Sequence, residues 1–156
     1  SEQGLSDASS ILGNMLQSDK NYSGAVKVFH QGVKNGDSIS ALVLSHAFES
    51  GVQADNLNFL DVSPDDERVK RYHMISSYLS RYDYLQPKVP DLDDIVPLPP
   101  AKLPKWDGKI AFQRWYEGEA PPKPSEALMQ KLANQAGLRV DNGLDLETNL
   151  PKSVKK

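Results

Sequence analysis

Histidine and aspartate are the residues of this sequence that could do chemistry. The three histidines, His30, His46 and His73, fall on different predicted helices, and none has a second ligand three or four residues away. A metal site would therefore have to be assembled from ligands on different helices. We expect instead that the histidines are solvated or partly buried on their helices. Cysteine is absent, which excludes disulfides, thiolate metal sites and a cysteine nucleophile.

Asp91, Asp93 and Asp94 sit close together in the sequence, with Asp107 further on. A calcium loop needs glycine at its sixth position and glutamate at its twelfth. Counted from Asp91, those positions hold Val96 and Lys102, so that site is not predicted. We expect Asp91 and Asp93 to be solvated or to cap a short turn. The nucleophile elbow, the P-loop and the dinucleotide fingerprint are also absent, so no catalytic, cofactor-binding or metal-binding residue is predicted.

Composition limits the class of partner. There are 18 Lys and Arg against 21 Asp and Glu, a net charge of −3, so the basic excess needed to bind a phosphate backbone is missing and nucleic acid is not an expected partner. No apolar run is long enough to span a membrane. The sequence opens on Ser1 without methionine, and we expect a processed or trimmed product whose targeting segment has been lost.

Amphipathic helices are predicted through the first half of the chain. Apolar residues recur at helical spacing in 4–19, 22–35, 36–51 and 64–82. Ser6 and Ser38 are the predicted N-caps of the first and third helices, and Gly51 is the predicted stop of the third. The first and third segments align at an offset of 32 residues, a period typical of helix-pair solenoids.

Proline divides the chain near residue 86: one of the 11 prolines lies in 1–86 and ten lie in 87–156. Apolar residues punctuate these prolines, which favours an ordered wrapper lying along the helices over a free linker. Ala111–Glu117 is predicted as a short helix or strand. Glu126–Ala136 is predicted as a helix capped by Ser125 and ended by Gly137, with Leu128, Met129 and Leu132 facing inward. The two halves, 1–86 and 87–156, are expected to form one structural unit.

The two tryptophans have two possible roles. As core residues, Trp106 and Trp115 would anchor the wrapper to the helices, because an indole buries a large apolar area. As exposed residues, they would be hot spots for a protein partner. A short helical repeat needs additional apolar burial, which favours the core role.

Two stretches carry a family resemblance. Gly4, Ala8, Leu12, Gly13 and Leu16 match the first helix of the Sel-like repeat, a relative of the tetratricopeptide repeat, and Gly36, Leu44, Phe48 and Gly51 match it in part. In addition, residues 90–108 and 121–138 resemble an uncharacterised bacterial domain that follows such repeats. The resemblance implies a short α/α solenoid of two helix-turn-helix repeats and a periplasmic or envelope location, with the cytoplasm as the alternative. Some proteins of this kind resemble immunity proteins that neutralise secreted antibacterial toxins, including type VI secretion lipases.

The repeat positions of this resemblance also indicate a binding face. Positions six, ten and thirteen residues after each leading glycine share one face, which stacked helix pairs present on a concave surface. These candidate partner-binding residues are Ser10, Asn14, Gln17, Leu42, His46 and Glu49.

The sequence therefore predicts an all-α, non-enzymatic protein that binds another protein, most concretely a bacterial immunity protein. Three alternatives stay open: an envelope adaptor, the C-terminal cap of a longer solenoid, and a small-ligand or enzymatic domain with a pocket near Asp91–Asp94 and Trp106–Trp115. The oligomeric state is not predicted.

Overall fold

The structure, a computed structural model, describes residues 3–151, with side chains from Ala8 onward. The first residues of the chain, on which the expectation of a processed start rests, lie outside that range. The described residues form seven helices: α1 Gln3–Ser18, α2 Tyr22–Lys34, α3 Ser38–Ala47, α4 Asp66–Arg81, α5 Leu92–Ile95, α6 Ala111–Glu117 and α7 Glu126–Ala136. A 3₁₀ turn, Asp83–Leu85, follows α4. There is no strand within 3–151, only an isolated bridge between Leu138 and Asp145. The predicted all-α class is confirmed.

Aspartate caps α3, where serine was predicted to do so. The side chain of Asp37 accepts a hydrogen bond from the backbone amide of Ile39 at 2.9 Å and begins α3, which leaves Ser38 as the first helical residue. The prediction of Ser6 is also wrong, because α1 begins at Gln3. A carboxylate caps as well as a hydroxyl does, so sequence alone does not choose between neighbouring candidates. Gly51 lies beyond the end of α3, which is capped by Phe48.

The first four helices pack in chain order: α1 on α2, α2 on α3, and α3 on α4. Glycines set the closest approaches, because a Cβ on Gly13 would lie 2.5 Å from the Phe29 ring, and a Cβ on Gly32 would lie 2.5 Å from the hydroxyl of Ser40. As a result, α1 approaches α2 closely at Gly13, where the Phe29 ring occupies the space that a side chain would need. Leu12, which the apolar periodicity placed with the core residues, is 48% exposed.

Chain contacts divide the protein into two compact units, residues 1–118 and 119–156. The first unit contains the buried apolar core, in which Tyr72, Phe29, Phe48, Leu44 and Leu60 are the largest fully buried side chains. The second unit contains α7, whose N-cap Ser125 and terminating Gly137 are as predicted. Leu128 and Leu132 are exposed, so their predicted inward orientation is wrong.

Residues 87–110, the proline-rich segment of the first unit, contribute five fully or almost fully buried side chains to that core: Val89, Leu92, Ile95, Val96 and Ile110. Proline lacks a backbone donor but keeps its carbonyl, so a buried proline-rich chain needs donors from elsewhere. Two buried arginines of α4 supply them. Arg71 donates to the carbonyl of Ile95 at 2.5 Å, and Arg68 donates to the carbonyls of Pro97 and Ala101 at 3.0 and 2.6 Å.

The segment begins against the end of α2. The backbone amide of Val89 donates to the carbonyl of Lys34 at 3.0 Å, which satisfies one of the acceptors left over at the helix end. Gly36 has a φ of +94°, and a Cβ there would lie 2.3 Å from the Pro87 carbonyl oxygen. Both the backbone conformation and the contact therefore require glycine.

We predict that Arg71→Met lowers the free energy of unfolding by about 2–3 kcal/mol, because the buried Ile95 carbonyl loses its donor while the apolar stem is kept. Urea unfolding measures this. Arg81→Met is the matched control, since Arg81 is an exposed arginine of the same helix, and its change should stay within about 0.5 kcal/mol. Equal effects of the two substitutions would contradict the role assigned to Arg71.

We also predict that Gly36→Ala is more destabilising than Gly51→Ala. Both glycines have positive φ, but a Cβ on Gly51 meets nothing within 4 Å. Gly51→Ala should cost only the left-handed conformation, about 1–2 kcal/mol, whereas Gly36→Ala adds the collision with Pro87. Thermal unfolding measures the stability lost by each variant. Equal losses would mean that the chain at Pro87 moves away from the added methyl group without a cost in stability, which would contradict this prediction.

Candidate functional site

Two of the predicted partner-binding residues already have structural partners. The hydroxyl of Ser10 donates to the carboxylate of Asp37 and so ties α1 to the N-cap of α3. The amide of Gln17 donates to the carbonyls of Leu57 and Phe59 at 2.7 and 3.0 Å, which fixes the loop between α3 and α4. The Ser10 hydroxyl and the Gln17 amide nitrogen already make hydrogen bonds within the protein. A partner could therefore bond only the remaining polar atoms of these two side chains.

The other four predicted residues lie at or near the surface. Asn14 is exposed on α1, and Leu42 is half-buried on α3. His46 and Glu49 bond each other, with 2.8 Å between Nδ1 and Oε1. Since α1 and α3 contact each other, the structure places the two predicted triplets on neighbouring helices.

The same region has an exposed apolar face that periodicity did not anticipate. Ile11, Leu12 and Met15 of α1 are exposed, as is Ile39 of α3. Of these residues, only Leu12 is predicted to lie in the core by its spacing; α1 instead approaches Phe29 of α2 at Gly13, and Leu12 is left exposed.

His30 is buried, contrary to the expectation that the histidines are merely solvated or partly buried, and it joins the buried Tyr72 to Asp93, whose side chain is 63% exposed. Its Nδ1 is 2.9 Å from the hydroxyl of Tyr72, and its Nε2 is 2.8 Å from Oδ1 of Asp93. Lys34 bonds the other oxygen of Asp93 at 2.5 Å. Asp93 is thus exposed, as predicted, and is in addition held by two side chains of α2.

The order Tyr72, His30, Asp93 resembles an acid–base relay, but its geometry is that of a structural clasp. The Tyr72 side chain is 0% exposed and stacks on Phe48, with 6.0 Å between ring centroids, so a substrate cannot reach its hydroxyl. Burial raises the pKa of Tyr72 far above its ordinary value. A neutral phenol donates to Nδ1, which leaves the hydrogen on Nε2 for Asp93.

Burial is also the main influence on the pKa of His30, and it lowers that pKa against the opposing effect of Asp93. Conversely, the hydrogen bonds from Lys34 and then His30 lower the pKa of Asp93. The folded state at neutral pH therefore contains a neutral imidazole and an ionised carboxylate, joined across α2 and α5.

Six aromatic rings form a continuous surface in the first unit, which we call the aromatic patch: Tyr78, Tyr82, Tyr84, Phe112, Trp115 and Tyr116. Phe112 and Tyr116 stack one helical turn apart, with 6.4 Å between centroids and 14° between planes. Tyr82 joins them to the end of α4, with its ring centroid 5.9 Å from that of Tyr116. Tyr84 is 73% exposed and Trp115 70% exposed, so the favoured core role of Trp115 is wrong. Trp106 is half-buried and donates to the carbonyl of Lys109 at 2.8 Å.

A surface cleft of about 350 Å³ adjoins the aromatic patch. It is lined by α4 and by parts of the stretch 108–117, and Met74, Tyr78 and Tyr82 form its apolar side. The charged or titratable residues along it are His73, Arg81 and Glu117. This combination of rings, a cleft and few charges is typical of a protein-binding surface.

A wider, open cavity of about 680 Å³ lies near Asp91, Asp94 and Asp107, in the region predicted for a small-ligand pocket. Two of its carboxylates accept hydrogen bonds within the protein: Asp91 from the amide of Ala111 at 2.8 Å, and Asp107 from Arg114 at 2.7 Å. Asp94 is exposed, and the second oxygen of Asp91 is buried without a hydrogen-bond partner among the described residues. Within residues 3–151 no group of three histidine or acidic side chains could hold a metal ion. No helix in that range is long and apolar enough to cross a membrane.

The described residues thus define an all-helical protein whose most exposed aromatic side chains are gathered on one surface. The chain belongs to the family described as Domain of unknown function (DUF6396), which matches residues 40–150. The match begins inside α3 and covers α4 to α7, so α1 and α2 precede it. Neither the curated proteins nor the solved structures contain a match to the chain.

We predict that the free energy of unfolding falls as the pH drops below about 6.5, the ordinary pKa of histidine. The unfolded chain takes up a proton on His30 at a higher pH than the folded protein does, because burial lowers the folded-state pKa. A further loss should follow below about pH 4, where the unfolded chain protonates Asp93 before the folded protein does.

Urea unfolding at a series of pH values tests this. His30→Gln keeps a donor for Asp93 and removes the titration, so it should flatten the change between about pH 7 and 5. His73→Gln, which removes an exposed histidine, should leave the change in place. A wild-type protein with constant stability over that range would contradict the proposed clasp.

Proposed function

We propose that this protein acts without catalysis by binding another protein, as a bacterial immunity protein that neutralises a secreted antibacterial effector such as a type VI secretion lipase. The exposed aromatic patch is the observation that carries the proposal. Tyrosine and tryptophan dominate binding hot spots because they bury a large area and lose little conformational entropy. Steric blocking of the effector would be sufficient for neutralisation.

The wider architecture belongs to the same proposal. The pairs α1–α2 and α3–α4 are interpreted as a two-repeat solenoid of Sel-like kind, with the proline-rich segment as its wrapper. A periplasmic or envelope location fits an immunity protein that meets an incoming toxin; the cytoplasm is the alternative. The resemblance of residues 90–108 and 121–138 to a domain that follows such repeats supports this interpretation.

The arrangement of the rings supports the aromatic patch over the concave face as the main contact. Ser10 and Gln17 already bond within the protein, whereas Tyr84 and Trp115 present most of their surface to solvent. Asn14 and Leu42 stay candidates for a second contact. Burying two such rings in an interface contributes several kcal/mol when they are hot spots.

A second function, a solenoid cap or an envelope adaptor, is favoured by the exposed Ile11, Leu12 and Met15. An apolar face on the first helix suits packing against another helix pair. Under this alternative α1 is the binding surface, and the aromatic patch is dispensable.

A protection assay with the effector encoded by a neighbouring gene distinguishes these functions. We expect the wild-type protein to rescue growth and to form a complex, and Tyr84→Ala with Trp115→Ala to abolish both, with affinity reduced at least about 100-fold. Asn14→Ala with Leu42→Ala tests the concave face, and Ile11→Ser with Met15→Ser tests the apolar face of α1.

Leu132→Ala is the control, because Leu132 is an exposed apolar residue of α7 and belongs to none of these surfaces. Full protection by the Tyr84 and Trp115 variant would contradict the assignment of the aromatic patch. Absence of both complex and protection with the wild-type protein would contradict the immunity function.

A further inference from the structure

The cleft beside the aromatic patch is lined by one carboxylate, that of Glu117, and one guanidinium, that of Arg81. The carboxylate accepts from Lys109 at 2.6 Å and from Gln113 at 2.8 Å. The bond from Lys109 is the main cause of the lowered pKa of Glu117. Glu117 is therefore ionised and occupied at neutral pH.

Arg81 is the unneutralised charge of the cleft. Its guanidinium is exposed and makes no hydrogen bond or ion pair with any residue in the range that the structure describes. The neighbouring side chain of Ser77 can donate as well. A guanidinium presents paired donors that match a carboxylate, and such bidentate pairs are stronger than neutral hydrogen bonds.

Tyr78 adds a second donor without an acceptor. Its hydroxyl is buried and has no hydrogen-bond partner among the described residues. Burial, followed by the charges of Tyr82 and Glu117, raises the pKa of Tyr78, so the hydroxyl keeps its proton. An unsatisfied buried donor is costly, and an acceptor brought within reach of the Tyr78 hydroxyl would remove that cost.

We propose that this cleft receives an acidic side chain from an extended segment of a partner protein, while an adjacent aromatic or proline side chain of that segment packs on Tyr82, Tyr84 and Tyr116. The inference rests on the proposed protein-binding function and specifies the chemistry of the partner. A carboxylate of the partner would pair with the Arg81 guanidinium, so an acidic segment is favoured. A Lys or Arg of the partner would instead be buried next to Arg81, which has no counter-ion among the described residues, so a basic segment is disfavoured.

Selection from a random peptide library displayed on phage tests the proposal with the whole chain. The wild-type protein should enrich peptides in which Asp or Glu adjoins an aromatic or proline residue. Arg81→Glu should reverse the preference to Lys or Arg. Lys131→Glu makes the same change of charge on α7, outside the cleft, and should keep the acidic preference. Circular dichroism confirms that each variant is folded.

Affinity measurements on an enriched peptide complete the test. Replacing its acidic residue by the corresponding amide should weaken binding at least about 10-fold, and Tyr84→Ala in the protein should weaken it as well. The proposal is overturned by a library without enrichment, by enriched peptides without acidic residues, or by an unchanged preference in Arg81→Glu. A dimer of the protein that Arg81→Glu dissociates would also overturn it, because the occupant would then be a second copy.

These outcomes are separate from those of the proposed function. Enriched acidic peptides without any protection against the effector would keep the cleft assignment and remove the immunity function. Protection that needs Trp115 and Tyr84 but not Arg81 would keep the immunity function and remove the cleft assignment.

Discussion

The need to satisfy backbone carbonyls in a buried, proline-rich chain governs the first unit. Apolar side chains of 87–110 enter the core, and the carbonyls that accompany them cannot find partners in a regular ladder. Arg68 and Arg71 solve this from α4, because a guanidinium has several donors and no acceptor of its own. Arg68 also bonds Asp65, the N-cap of α4, so the start of the helix and the proline-rich segment share one network.

The same path of the chain creates the aromatic patch. Ile110 is buried, and the amide of Ala111 is held by Asp91, which fixes the start of α6. A seven-residue helix then places Phe112 and Tyr116 on one side, where Tyr82 at the end of α4 meets them. The rings of the patch come from two separate stretches of sequence, 78–84 and 112–116, and the return of the proline-rich segment to α4 brings them together.

Local signals were enough to predict most helices and not enough to predict which faces are buried. The bounds of α2, α4 and α7 follow from apolar spacing, capping side chains and glycine, all of which act within a few residues. Leu12 and Trp115 are exposed for long-range reasons, since Gly13 turns α1 and the path of residues 104–110 orients α6. His30 is equally unpredictable, because its partners Tyr72 and Asp93 lie 42 and 63 residues away in sequence.

Rigid support of the exposed rings is what makes the aromatic patch suited to binding. Lys109 and Glu117 bridge the two ends of α6 at 2.6 Å, and Gln113 bonds the same glutamate from inside the helix. The rings of Phe112, Trp115 and Tyr116 are thus held before any partner arrives. Ordering a loop or a mobile side chain on binding costs free energy, and this cost is small for rings carried on a helix that is already fixed. Under the proposed function, a partner would therefore keep more of the apolar burial as affinity, which is the physical reason for proposing recognition at this surface.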